Sequence, residues 1–331
     1  MSTRDDFTIG LGTVGAGLWV SYNGGAKWRH IQGPMDSEGN VRAFSVSPHN
    51  DGTIACTVDN DGVYVSADNG GNWDHTGAKL TGDLWSITHD PHDAERLFVG
   101  ARPGVLRSGD SGATFESLET SIEPQCVIGV ARTTNVVVDP AKSDVVWASV
   151  EIGGLHRSDD GGDSWASLGQ LGGSEFHNDV HGFAMRDAGD GTTELLVTSP
   201  FGLARSGDSG ATWNWHEFAA FPGSKFEFAY SRCVRAPWND GTVIVCVGDY
   251  IPGRVGALEI SRDGGETWRR AELPVPPNST MYWIATHDEL PGVIVATSVF
   301  GQVYVSSDHG DSWSKLDREV SQIRGAYITP V

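Results

Sequence analysis

The chain has 331 residues, 39% of them hydrophobic, with 43 acidic against 23 basic side chains and a formal net charge of −20. A surface this negative repels phosphate backbones, which excludes nucleic acid as a natural partner. No apolar run is long enough to span a membrane, and the opening Met1-Ser-Thr-Arg-Asp-Asp-Phe7 has no apolar signal core, so the sequence predicts a cytoplasmic protein that leaves membranes alone.

One phrase organises the rest. Ser158-Asp-Asp-Gly-Gly-Asp-Ser-Trp165 reads Ser-x-Asp-x-Gly-x-Ser-Trp. Variants of it begin at Ser21, Ser66, Ser108, Ser158, Ser206, Ser261 and Ser306, in steps of 45, 42, 50, 48, 55 and 45 residues. They close on Trp28, Trp73, Phe115, Trp165, Trp213, Trp268 and Trp313. Asp and Ser hydrogen-bond nearby backbone N–H groups in tight turns, Gly gives the turn its backbone freedom, and the ring that follows can pack between neighbouring units. A fixed period near 45 residues is the mark of a repeat architecture. Seven such units predict an all-β fold: one seven-bladed β-propeller of four-stranded blades over residues 1–331.

Taken in order, each unit reads strand A, turn, strand B, Gly-rich loop, strand C, the recurring turn, strand D. The first unit lacks A and supplies 7–13, 17–21 and 28–31. The second is complete at 42–48, 53–58, 63–66 and 73–75, with Pro48-His-Asn-Asp-Gly52 as its A-to-B turn. The third to seventh start their A strands at Trp85, Thr134, His181, Ser231 and Trp283. The tail, Arg324-Gly-Ala-Tyr-Ile-Thr-Pro330, has the form of the missing A strand. It is expected to complete blade 1, formed by 7–31 plus 323–331, and so to remove the open sheet edge.

Aligning the A strands puts Arg42, Trp85, Thr134, His181 with Gly182, Ser231 with Arg232, Trp283 and Arg324 around the mouth of the central channel. Arginines converging in an acidic protein point to an anion, and the tryptophans to a flat ligand face. The competing reading pairs these arginines with rim acids such as Glu151 and Asp249. The loops 119–133, 169–180, 217–230 and 248–256 are long and gather over blades 4 to 6, where Tyr250 stands; Arg102 joins the substrate-binding candidates. In the second of these loops, His177 and His181 with Asp179 have the residue types of a metal site or an acid–base pair; a metal would be held by the two histidines, with or without Glu151, or His181 could act as acid or base. No cofactor is required by this set, and a divalent ion is the one it could hold. The remaining histidines fall on far-face turns (His49, His89, His92, His287) or outer strands (His30, His75, His216). Four cysteines in a chain this long do not build a disulfide framework; Cys233 and Cys246 read as neighbouring buried thiols.

The recurring phrase resembles the Asp-box, or bacterial neuraminidase repeat. Sialidases share the boxes, but that family implies six blades and an Arg-Ile-Pro motif, which this sequence lacks. Glu151-Ile-Gly-Gly-Leu-His-Arg-Ser-Asp-Asp-Gly-Gly162 is similar to the Asp-Val-Gly-Gly-Leu-Tyr-Arg-Ser-Asp-Asp-Gly-Gly phrase of xyloglucan-cleaving glycosidases, whose leading Asp is catalytic. The resemblance implies that role for Glu151. Those enzymes pair two propellers. Sortilin-type receptors and the photosystem II assembly propeller share the repeat too, and single-domain bacterial Asp-box propellers are nearest in plan.

Three functions remain open from sequence. The first is an intracellular enzyme or binder for a small carboxylate-type anion or sugar acid at the channel mouth. His181 and Glu151 would be its acid and base, and a hydrolase or lyase reaction would need no organic cofactor. The second is a scaffold that binds a protein partner. The third is a glycoside hydrolase, with Glu227 or Asp249 as the second carboxylate.

Overall fold

The computed structural model describes residues 7–49, 52–188 and 192–331. Asn50 and Asp51, at the centre of the expected turn after Pro48, lie outside the described residues, as do residues 1–6.

Seven antiparallel four-stranded sheets form the blades, each ordered A-B-C-D. Blade 1 combines Ile323–Pro330 (A) with Phe7–Thr13 (B), Leu18–Ser21 (C) and Arg29–His30 (D). Blade 2 is Val41–Val46, Ile54–Val58, Gly62–Ser66 and Asp74–Lys79. Blade 3 is Leu84–Asp90, Asp93–Ala101, Val105–Ser108 and Glu116–Ser117. Blade 4 is Thr133–Val138, Val146–Val150, Gly154–Ser158 and Ala166–Ser167. Blade 5 is Gly182–Asp187, Thr193–Ser199, Gly202–Ser206 and Asn214–His216. Blade 6 is Tyr230–Arg235, Val243–Gly248, Gly256–Ser261 and Arg269–Arg270. Blade 7 is Met281–Ala285, Ile294–Ser298, Val303–Ser306 and Ser314–Lys315.

The two ends of the chain close the ring as the sequence predicts. Phe7 pairs with Pro330 and Gly12 with Gly325, in unbroken antiparallel register. Gly10 faces Tyr327, and a Cβ on Gly10 would lie 1.8 Å from the Tyr327 ring. That glycine is what lets the tyrosine lie flat across the strand pair.

The apolar core is divided into seven clusters, each wedged between successive blades. Leu18, Val20 and Tyr327 meet Val41, Ile54 and Trp73 between blades 1 and 2. Phe7, Ile9 and Ile328 meet Ala285 and Val295 between blades 7 and 1, and the other five seams repeat the pattern. Every blade therefore depends on both neighbours, as in any architecture whose units cannot bury their own faces. Fully burying one Ile or Val stabilises by roughly 1.5–3 kcal/mol, so a seam of ten such residues holds tightly.

The boxes are closed hydrogen-bond units. In blade 4, Ser158 Oγ donates to Asp160 Oδ1 (2.7 Å) and accepts from Gly162 N (2.8 Å), while Ser164 donates from N and Oγ to Asp160 (2.8 and 2.6 Å). The Trp165 indole then donates to the Gly162 carbonyl at 2.9 Å. Asn23 makes the equivalent bonds in the first box. Box turns also bond to A-to-B turns, as in Gly161 N to Asp144 O (2.8 Å) and His309 N to Gly292 O (3.0 Å). The boxes therefore sit on the face opposite the D-to-A and B-to-C loops. With every acceptor of the box Asp used, the boxes are structural, as expected.

Two loops hold elements that the sequence reading left as loop. Gln125–Cys126 pairs with Gly129–Val130 in a small hairpin, and Glu175–Asn178 forms a 3₁₀ turn. All four cysteines are free, and Cys233 and Cys246 are both buried, as expected. No helix among the described residues is long and apolar enough to cross a membrane.

Candidate functional site at the channel mouth and the rim of blades 4 to 6

The channel mouth is built by a backbone device. Six of the seven A strands carry a β-bulge near their first residues, where the register to strand B slips. The residues skipped by the ladder are Arg324, Arg42, Trp85, Thr134, Arg232 with Cys233, and Tyr282. A bulge leaves its residue unpaired and re-aims the side chain, here into the channel. Blade 5 has no bulge; His181 precedes its strand and bonds through N to Thr198 O at 2.8 Å. These residues line one small cavity at the mouth, together with Asn135, Gly182, Arg235 and Trp283. The ring read from sequence is thus assembled. Tyr282, which the alignment passed over in favour of Trp283, is the bulged residue of blade 7.

The cavity leaves only about 30 Å³, room for one or two water molecules. A sugar or sugar acid does not fit inside it. Arg42 is also engaged: its Nε lies 2.5 Å from Asp59 and its guanidinium covers the Trp85 ring at 4.4 Å. Arg102 is not part of the ring. It pairs with Asp83 at 3.2 Å and donates to Val130 O, because the hairpin of the 119–133 loop folds over it.

Beside the mouth, on the rim of blades 4 and 5, three acid–base groups converge. Glu151, Asp179 and His181 each place one ligating atom within 4.8 Å of the others. Glu151 follows strand B of blade 4 and is held by Arg132 at 2.5 Å. His181 Nδ1 lies 2.8 Å from the Ser231 carbonyl, which can only accept, so that nitrogen carries a proton. Its Nε2 faces Asp179 at 3.3 Å and the Tyr230 hydroxyl at 3.3 Å. Burial pushes the Asp179 carboxyl up, but His181, Arg232 and Arg132 outweigh burial and hold it below the usual range. The His181 side chain is fully buried, whereas Glu151 and Asp179 reach the surface at 12% and 13% exposure. The carboxylates are therefore the groups a ligand can touch, and His181 positions them.

The expected metal pair of His177 and His181 is corrected. The 3₁₀ turn folds His177 back so that its Nδ1 accepts from Ser174 N at 3.2 Å, and its ring stacks on Phe201 at 4.3 Å. If a cation were held, Glu151, Asp179 and His181 would hold it, but Arg132 already occupies Glu151 and Arg232 adds a second positive charge nearby. Asp249 accepts from Arg254 N at 2.8 Å and closes its own loop, and Glu227 is exposed.

From this cluster an aromatic path runs outward over blades 5 and 6. His181 lies 5.1 Å from Tyr230, which meets Tyr250 at 6.1 Å and Phe226 at 6.5 Å. Phe226 stacks on Phe228 at 5.4 Å, and Phe228 meets Phe201 at 4.8 Å. Tyr250 is 54% exposed. It sits on this path, in the long 248–256 loop over blades 4 to 6 where the sequence places it. The long loops 217–230 and 248–256 supply Phe226, Phe228, Tyr230 and Tyr250.

The comparisons with known proteins agree with this architecture. A model of the BNR/Asp-box repeat matches residues 259–270, the sixth box. An oligoxyloglucan-reducing end-specific xyloglucanase of Emericella nidulans is 22% identical over 240 residues, covering 70% of this chain and 26% of that protein. A xyloglucanase of a Paenibacillus species is 25% identical over 250 residues, covering 64% and 23%. The chain spans about a quarter of the length of these curated relatives. The crystal structure of the GH74 xyloglucanase from Xanthomonas campestris superposes with a TM-score of 0.65 at 24% identity, over 84% of this chain and 45% of that one. The similarity favours the glycoside hydrolase alternative over the small-anion reading. Its boxes and its seven blades together make this chain an Asp-box (BNR-repeat) seven-bladed β-propeller.

Proposed function

We propose that the protein is a carbohydrate-active propeller that takes a xyloglucan-type β-glucan chain on the rim of blades 4 to 6. The observation that carries this reading is the aromatic path ending at a carboxylate pair. Aromatic faces are the standard apolar partners of sugar rings, and a row of them suits a chain of rings. The row leads from exposed Tyr250 past Phe226 and Tyr230 to Glu151 and Asp179. The relatives named as xyloglucanases support the substrate class.

In this reading Glu151 is the group that exchanges a proton with the glycosidic oxygen. Arg132 fixes its orientation and His181 fixes Asp179. One oxygen of Glu151 and one of Asp179 lie within 4.8 Å of each other, closer than the roughly 6.5–9.5 Å of an inverting pair, so in this reading they work as one wall of the cleft.

Release of reducing ends from xyloglucan, with barley β-glucan and cellulose oligomers alongside, tests the reading. Activity on one of these glucans is expected, and Glu151→Gln should lower kcat by at least about 10²-fold with KM little changed. Wild-type protein that neither binds nor cleaves any of them would overturn it.

A further inference from the structure

The ring at the channel mouth has a charge imbalance that the rim site does not use. Four arginines, Arg42, Arg232, Arg235 and Arg324, line the cavity, and no carboxylate does. Arg42 is balanced by Asp59 and Asp83. Among the described residues, Arg232, Arg235 and Arg324 have no carboxylate within ion-pair distance. This is not for want of acids in a chain with 43 of them. We propose that the channel mouth binds one small monovalent inorganic anion, of halide size, between Arg232, Arg235 and Arg324.

The partners these guanidiniums do have are weak ones. Arg232 donates to the Tyr282 hydroxyl at 3.2 Å, and Arg235 donates to the Val234 carbonyl at 2.9 Å while covering the Trp283 ring at 5.0 Å. Arg324 reaches Gln322 Oε1 at 3.4 Å, hydrogen-bonds Tyr282 and lies over its ring at 5.2 Å, and its Nε is buried with no acceptor. The nearest carboxylates act on Arg232 through space and are already engaged, Glu151 by Arg132 and Asp179 by His181. Buried positive charge without a paired anion is costly, and guanidiniums are strong donors to anions.

Two neutral acids on the same wall feel this field. Burial alone would push the Tyr282 phenol up, yet Arg232 and Arg324 hold it below the usual range. The Cys233 thiol, hydrogen-bonded by Cys246 and facing Arg235 and Arg232, is also held low.

Size selects the class of anion. About 30 Å³ admits chloride or bromide and excludes a phosphate ester or a sugar acid. Below the neck formed by Asn135, Arg235 and Trp283 the channel opens to about 300 Å³, lined largely by apolar side chains such as Phe44, Ile87 and Phe183. A wet anion has no better seat there. The site joins the A strands of blades 6, 7 and 1, the last being the C-terminal strand. A bound anion would therefore stabilise ring closure. It does not rest on the carbohydrate reading, since neither site shares a ligand-contacting residue with the other.

The test is thermal unfolding at constant ionic strength while sodium gluconate is replaced by sodium chloride. A saturable rise of about 3 °C or more is expected. Arg324→Gln should abolish the rise, and Arg102→Gln, outside the ring, should keep it. Should Arg324→Gln fail to fold, anomalous diffraction from bromide-soaked wild-type crystals decides, with a peak expected in contact with Arg232 and Arg324. Equal melting in chloride and gluconate, or bromide-soaked crystals without that peak, would overturn the proposal. So would a larger rise with propionate than with chloride, which would mean a carboxylate pocket instead.

Discussion

The two faces of the ring use repetition in opposite ways. On the far face, seven turns repeat one pattern of residues and bonds, from Ser21 with Asn23 to Ser306 with Asp308, with Asn23 for Asp in the first and Phe115 for Trp in the third. On the channel mouth, six bulges repeat only the backbone, and the side chains they aim differ from blade to blade: Arg, Arg, Trp, Thr, Arg with Cys, and Tyr. Repeated side chains mark what holds the fold, because each box must solve the same turn. A repeated backbone carrying varied side chains marks where function can diverge without cost to the ring.

The largest effect that would break this comparison comes from the one blade made from both chain ends. Removing residues 322–331 deletes strand A of blade 1 and with it Ile323, Ala326, Tyr327 and Ile328, all buried. The truncated protein should aggregate or remain unfolded, read by loss of the cooperative melting transition. Unchanged melting would refute the closure.

A smaller loss is expected from a single box ring. Trp73 is 3% exposed and packs between blades 1 and 2. Trp73→Ala should cost about 3–5 kcal/mol in denaturant unfolding, whereas Trp85→Ala, on the half-buried mouth, should cost clearly less. Equal costs would erase the distinction between the faces.

The smallest effect is the pH dependence that the boxes contribute. Hydrogen bonds from Ser164, Thr212 and their backbone N–H groups pull Asp160 and Asp208 down to about 2, and bonds from Ser312 outweigh burial to take Asp308 to about 2 as well. A carboxylate whose folded pKa is depressed stabilises the fold fully above its unfolded value, near 4, and loses that contribution as pH falls through the folded value. Melting temperature should therefore lose the boxes' contribution between about pH 4 and 2. A plateau reaching to pH 2 would show that the boxes contribute little.

The period of the boxes made the blade count legible, and the pattern of 324–330 made the closure legible, because both depend on local chemistry. Most of the channel ring was also readable, since the A strands end on common turn residues. The bulges were not. A bulge depends on how two strands pair, and the extra residue it inserts shifted the alignment by one in blade 7, so that Trp283 was read for Tyr282. Asp179 was grouped with His181 from the sequence, but Tyr230 was missed for a related reason: it joins His181 only when the loops before blades 5 and 6 fold side by side. His177 was grouped with His181 because four residues separate them, and the 3₁₀ turn then sends the two rings to different neighbours. Arg132, the partner of Glu151, carried no signal that spacing could reveal.

The central claim is that the functional surface lies on the varied face, over blades 4 to 6. Calorimetric titration of xyloglucan oligosaccharides into wild type, Tyr250→Ala and the box variant Ser206→Ala tests it most directly. The account expects measurable binding, weakened about 2–12-fold in Tyr250→Ala, as the loss of one aromatic contact implies, and unchanged in Ser206→Ala once that variant is shown to be folded. Binding that survives Tyr250→Ala but is lost in Ser206→Ala would place the ligand on the box face and contradict the account.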